Sequence, residues 1–213
     1  MKKVKILNLY PGIGGNRKLW GEDHDITSVE LNPEIANEYK RRFPNDNVII
    51  GDAHEYLLRH YKEFDFIWGS PPCPTHSTLV FSNEIKFYNE SNMSYPDMKL
   101  YQEIILLKSF APKNCRWVIE NVKPFYDYLI PPTKILARHP FWSNFPIYDK
   151  VFDNNQVVSE IEGNKTVYGF NIKDTDIKDK RRTLRNLVNP EIGKYILDCA
   201  MNKNEETEQL KLF

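Results

Sequence analysis

Apolar positions in the first 120 residues fall into short runs separated by amphipathic stretches. Residues 4–10 form such a run, which predicts a buried strand ended by Pro11-Gly12. Residues 25–30, 47–50, 64–68 and 116–120 predict four more strands. Between them, residues 33–42, 53–61 and 98–111 carry helical spacing, the first opened by Pro33. Strands alternating with helices predict βαβ units and a parallel sheet covered on both faces. Ligands of such sheets bind at the carboxyl ends of the strands.

The pattern weakens in two places. Residues 70–97 carry little periodicity, and a loop of that length inside a domain is usually functional or disordered. Beyond residue 120, residues 131–150 are rich in proline and aromatics, and residues 150–180 are polar. Residues 189–201 predict a final helix with Pro190 in its first turn, and residues 202–208 a polar, acidic linker.

A chain of 213 residues is expected to form a single domain, here residues 1–201. The formal net charge is 0, which argues against a polybasic whole-chain role but not against a local basic face. Lys178, Lys180, Arg181, Arg182 and Arg185 form the densest cationic cluster, either a solvated face or a phosphate-contacting patch. No run is long enough to cross a membrane and no signal peptide is expected. Cys73, Cys115 and Cys199 form no C-x-x-C pair, so neither a disulfide framework, a cysteine zinc site nor any other metal site is expected. A reducing cytoplasm fits this usage, and it leaves room for a reactive thiol.

Chemistry-bearing residues gather at the strand ends. Tyr10-Pro11-Gly12-Ile13-Gly14-Gly15 follows the first strand, where glycines let a backbone approach a ligand. The spacing is not G-x-G-x-x-G. Glu30 ends the second strand, where a carboxylate can bond ribose hydroxyls, and Asp52 follows the third, where one can accept from an adenine amino group. Three successive strand ends thus lay out an adenosine-type cofactor site. The fourth ends in Gly69-Ser70-Pro71-Pro72-Cys73-Pro74, with two prolines stiffening the backbone before a candidate nucleophile. The fifth ends in Glu120-Asn121-Val122, placing a carboxyl beside that cysteine, where partial burial would keep it protonated as an acid.

These motifs, with Asn8-Leu9-Tyr10, Val29-Glu30 and Gly51-Asp52, resemble in order and spacing those of the DNA cytosine-5 methyltransferase family. The likeness covers roughly residues 4–123, and cysteine after two prolines is its most specific mark. Asn8, Pro11 and Pro74 depart from the usual family residues. The resemblance implies a Rossmann-like class I S-adenosylmethionine-dependent methyltransferase fold with a mostly parallel sheet. It implies S-adenosylmethionine bound by Tyr10, Gly12, Gly14, Gly15, Glu30, Leu31, Asp52, Ala53, Ser70 and Pro71. Cys73 would attack C6 of a flipped cytosine while protonated Glu120 holds N3. An arginine would contact O2, with Arg138 the first candidate and Arg182 the second. His76, Ser77, Arg181 and Arg182 are the expected DNA contacts.

Only residues 131–188 remain for target recognition, much less than family members usually have, which implies short or relaxed specificity and resembles compact phage-encoded enzymes. Gln209, Leu210, Leu212 and Phe213 match the bacterial sliding-clamp-binding pentapeptide, implying a clamp partner for a tail of residues 202–213. The expected function is DNA cytosine-5 methylation, with protection from restriction as a biological use. The alternatives are tRNA cytosine-5 methylation and a catalytically silent cofactor- and DNA-binding module.

Overall fold

The computed structural model describes residues 3–73, 75–77, 95–137, 139–152 and 167–202. Among these, five strands match the sequence expectation closely: β1 (Lys5–Leu9), β2 (Asp25–Glu30), β3 (Asn47–Ile50), β4 (Phe66–Gly69) and β5 (Arg116–Glu120). Two more, β6 (Lys134–Leu136) and β7 (His139–Ser143), form a hairpin that the sequence reading did not contain. The sheet order is β3-β2-β1-β4-β5-β7-β6, parallel through β5 and antiparallel at β7.

The helices begin where side chains satisfy their free amides. Asn32 caps α1 (Pro33–Arg42), accepting from the amides of Glu34 and Ile35. Asp52 caps α2 (Ala53–His60) in the same way. α3 (Lys99–Phe110) precedes β5, and the basic cluster contributes a short helix, α4 (Lys180–Arg185). Asn189 caps α5 (Pro190–Ala200), with Pro190 in the first turn.

Near-continuous apolar strands are required because both faces of the sheet are buried. Ile6, Phe66, Trp68 and Val118 point to one side and pack with Ile192, Tyr195 and Ile196 of α5. Their neighbours Leu7, Leu9, Ile67, Trp117 and Ile119 point to the other, where Leu57 of α2 and Leu100, Ile104 and Leu107 of α3 cover them. A third cluster joins Ile13 of the glycine turn to Val167, Phe170, Ile172, Ile177 and Leu184. The carboxyl-terminal part of the chain therefore returns to the edge of the first turn.

Two close approaches fix that return. A Cβ on Gly193 of α5 would stand 2.3 Å from the Asn16 carbonyl oxygen, so only glycine allows the helix to seat there. Trp20 Nε1 donates to the Gly193 carbonyl at 3.0 Å. Below the turn, Arg17 is buried and grips Asp46 with two bonds of 3.0 Å. The Tyr39 hydroxyl donates to Asp46 at 2.7 Å, and Ser28 donates to Tyr39. No helix among the described residues is long and apolar enough to cross a membrane.

Candidate active site

A cavity of about 930 Å³ opens at the carboxyl ends of the parallel strands. Tyr10 and Gly12 enter it after β1, Glu30 and Leu31 at the end of β2, and Asp52 and Ala53 after β3. Ser70, Pro71 and Cys73 enter it after β4, and Glu120 and Asn121 at the end of β5. Its opposite wall comes from far along the chain and includes Ile177, Arg182, Arg185 and Val188. Its volume is that of a small-molecule or cofactor site.

One end of the cavity is built around Glu30. Its carboxylate accepts from the Asn32 amide at 3.0 Å and from the Gly12 amide at 3.3 Å. Burial pushes the Glu30 carboxyl above its usual range, and those amide bonds only partly offset the rise. Gly12 adopts a left-handed φ of 56°, with open space where a Cβ would point. Tyr10 is also left-handed, and its hydroxyl donates to buried Glu103 at 2.6 Å.

Gly14 and Gly15 sit at two close approaches. A Cβ on Gly14 would stand 2.2 Å from the Phe43 ring, and one on Gly15 would stand 2.5 Å from the Val188 carbonyl oxygen. They allow the turn to pack against α1 and the returning chain, and neither lines the cavity. Asp52 lines it but also caps α2 and lies 3.6 Å from Lys99. Burial raises its pKa, but the Glu55 amide, Lys99 and His54 outweigh that and hold it below the usual range.

Glu103 also anchors His54, whose Nδ1 lies 3.0 Å from its carboxylate. That bond raises the His54 pKa against the opposing effect of burial. The stabilisation it adds is therefore complete below the ordinary imidazole pKa and is lost as pH rises through the higher folded value. The expected result is that the melting-temperature advantage of wild type over His54→Gln shrinks as pH rises above the ordinary imidazole pKa. An advantage that grew with pH would contradict this pairing.

The other end of the cavity holds Cys73, which is partly exposed, and Glu120, which is buried. Asn121 Nδ2 donates to the Pro71 carbonyl at 3.0 Å and so ties the two strand-end motifs together. Burial raises the Cys73 thiol pKa and the Glu120 charge raises it further, while Arg185 and Arg182 pull it back only in part. His139 Nδ1 lies 2.5 Å from Glu120 Oε1.

The remaining expectations divide. Arg182 lines the cavity, as does Arg185 of the same basic cluster, whereas Arg181 does not. His76 lies at its edge but is 1% exposed, with Nδ1 against the Tyr126 hydroxyl and its ring near Tyr101. In this position it packs between Tyr126 and Tyr101. Ser77 bridges to Pro124 beside it. Arg138, Pro74, the 78–94 portion of the long loop and the tail with Gln209, Leu210, Leu212 and Phe213 lie outside the described residues. Among the described residues, the neighbour of Arg138, His139, lines the cavity. Adjacent His139 could have been found from the sequence only by placing β7 beside β5.

Comparison with known proteins follows this geometry. The family described as C-5 cytosine-specific DNA methylase matches residues 4–127. Type II methyltransferase M1.HgaI of Avibacterium volantium is 22% identical over 192 residues, covering 80% of this chain and 52% of that protein. A tRNA (cytosine(38)-C(5))-methyltransferase of Spodoptera frugiperda is 33% identical over 75 residues, covering 32% of this chain and 23% of that protein. The chain spans about half the length of the curated relatives it matches, or less. Among solved structures, a mutant of Spodoptera frugiperda DNMT2 is 26% identical, with a TM-score of 0.38 over 58% of this chain and 37% of that chain.

Proposed function

The chain belongs to the C-5 cytosine-specific DNA methylase family, and on that premise we propose that it methylates C5 of cytosine in DNA. S-adenosylmethionine is the cofactor, and it supplies an electrophilic methyl group when bound. The residues present fit it: Glu30 is oriented by backbone amides for hydroxyl groups, Gly12 leaves the floor open, and Leu31 offers an apolar wall. The observation that carries the reading is that Cys73 and Glu120 line the same cavity as this cradle.

The target cytosine leaves the duplex stack, because its C5–C6 edge must reach the cavity. The Cys73 thiolate forms a bond from sulfur to C6. The electrons of the C5=C6 bond move toward C4 and N3, and Glu120 gives its proton to N3. C5 is then electron-rich enough to take the methyl group. N3 returns its proton to Glu120 as C5 takes the methyl group; the C5 proton then leaves to water, its bonding pair re-forms C5=C6, and the sulfur–C6 bond breaks to release Cys73 as the thiolate. Arg182 and Arg185 place positive charge at this end of the cavity, where a nucleic-acid phosphate and a thiolate both benefit.

The test uses tritiated methyl donor with duplex DNA or tRNA, followed by digestion to nucleosides. The expected label is in 5-methyldeoxycytidine. Label confined to tRNA would transfer the proposal to RNA, a substrate class that the names of two relatives carry. Cofactor binding with no transfer to either would indicate a silent binding module.

The reading extends to two biological uses, protection of DNA from restriction and recruitment by a sliding clamp through residues 209–213. Deleting residues 209–213 is expected to remove clamp binding and leave methylation of short oligonucleotides unchanged. Clamp affinity that survived the deletion would refute the tail's role.

A further inference from the structure

We infer that His139 is the positioning residue for Glu120, holding its carboxyl so that the oxygen available to the base is the one that carries the proton. This rests on the cytosine-C5 reading and names a residue that the motifs do not include. Glu120 closes β5 and lies opposite Phe141 of β7 in an antiparallel pair. His139 opens β7, two residues before Phe141 and so on the same face of the strand. Diagonal neighbours of this kind are within reach of each other across a sheet. The observed bond joins His139 Nδ1 and Glu120 Oε1 at 2.5 Å.

Both side chains line the cavity, but they are unequally enclosed. The Glu120 side chain is 8% exposed and that of His139 is 37% exposed. Cys73, Arg182 and Arg185 also line the cavity, and both arginines act on the Cys73 thiol. Glu120 thus shares its close hydrogen bond with the neighbouring strand, at the point where the sheet ends and the cavity begins.

The chemistry gives that bond a direction. Glu120 must begin as an acid, because it is to donate to N3. With Nδ1–H donating to Oε1, the Glu120 proton belongs on Oε2. When that proton passes to N3 during sulfur attack at C6, negative charge appears on the carboxylate. The existing Nδ1–H bond then becomes charge-assisted and strengthens. A contact that gains strength as the reaction advances lowers the barrier. The reverse tautomer would hold the Glu120 proton toward Nδ1 and away from the base.

The experiment compares the full chain with His139→Ala and His139→Asn. Asparagine is chosen because its Nδ2 places a donor near the position of Nδ1. Four quantities are read: kcat, KM for DNA, cofactor affinity, and the rate of covalent adduct formation on DNA containing 5-fluorocytosine. The expected result for His139→Ala is a fall of roughly 30-fold in both kcat and adduct rate, the size of a lost charge-assisted bond. Cofactor affinity and KM stay within about twofold, and His139→Asn recovers to within about fivefold of wild type. An alanine variant with an unchanged adduct rate would overturn the inference. So would an asparagine variant as impaired as alanine, because packing and not donation would then be at stake. If His139→Ala loses cofactor binding, His139→Met, of similar bulk but without a donor, is held to the same comparison. A wild-type chain that forms no adduct would instead sink the cytosine-C5 reading itself.

Discussion

Replacing Cys73 with alanine is expected to lower methyl transfer by roughly 10⁴-fold or more, because on the proposed mechanism its sulfur is what opens the C5=C6 bond. The covalent adduct with 5-fluorocytosine DNA should vanish in the same variant. Cofactor affinity should stay within about twofold, since the Glu30 and Gly12 end of the cavity is built from other strands. Cys73 is only partly enclosed, so the substitution leaves no deep void and the fold should persist. Retention of more than about one hundredth of the wild-type rate would mean that attack at C6 does not limit or enable transfer. The raised thiol pKa adds a pH dependence. Burial favours the neutral thiol, so the rate should rise with pH above neutrality as the thiolate forms.

The largest stability loss is expected far from the sulfur, at Arg17→Ala. Arg17 and Asp46 are 1% and 3% exposed, and two bonds of 3.0 Å join them. Removing one partner of a buried ion pair strands the other without solvent and typically costs about 3–5 kcal/mol. Asp46 would keep the Tyr39 hydroxyl, which cannot replace a guanidinium charge. Urea unfolding should therefore show a lower midpoint with an unchanged slope. Replacing both partners with apolar residues should recover much of the loss. A midpoint for Arg17→Ala within experimental error of wild type would show that the pair contributes nothing net.

The parallel half of the sheet was legible because its physics is local. Buried parallel strands demand unbroken apolar runs, and Ile6-Leu7, Phe66-Ile67-Trp68 and Val118-Ile119 supply them for both faces. The cavity residues at those strand ends followed from topology, and Glu30, Asp52, Cys73 and Glu120 all line it. The β6–β7 hairpin was not legible, since Pro140 and the flanking aromatics give no alternation over a run this short. His139 was missed with it, because its meaning depends on being next to β5. The packing role of Gly14 and Gly15 was hidden for a related reason. A glycine needed for helix packing and a glycine needed for a ligand look identical in sequence, and only the positions of Phe43 and Val188 separate them.

The return of α5 to the glycine turn has a consequence for the order of events during synthesis. Asn16, beside the first turn, is covered by Gly193, and the Trp20 indole finds its acceptor on the same glycine. Residues from Ile177 to Val188 complete a cavity whose other walls come from residues 10–122 and His139. A ribosome that has released the five parallel strands has therefore made the floor of the pocket but not its second wall. The chain cannot enclose its cofactor until nearly all of the described residues have emerged, so ligand binding can report completion of the fold but cannot guide its early steps.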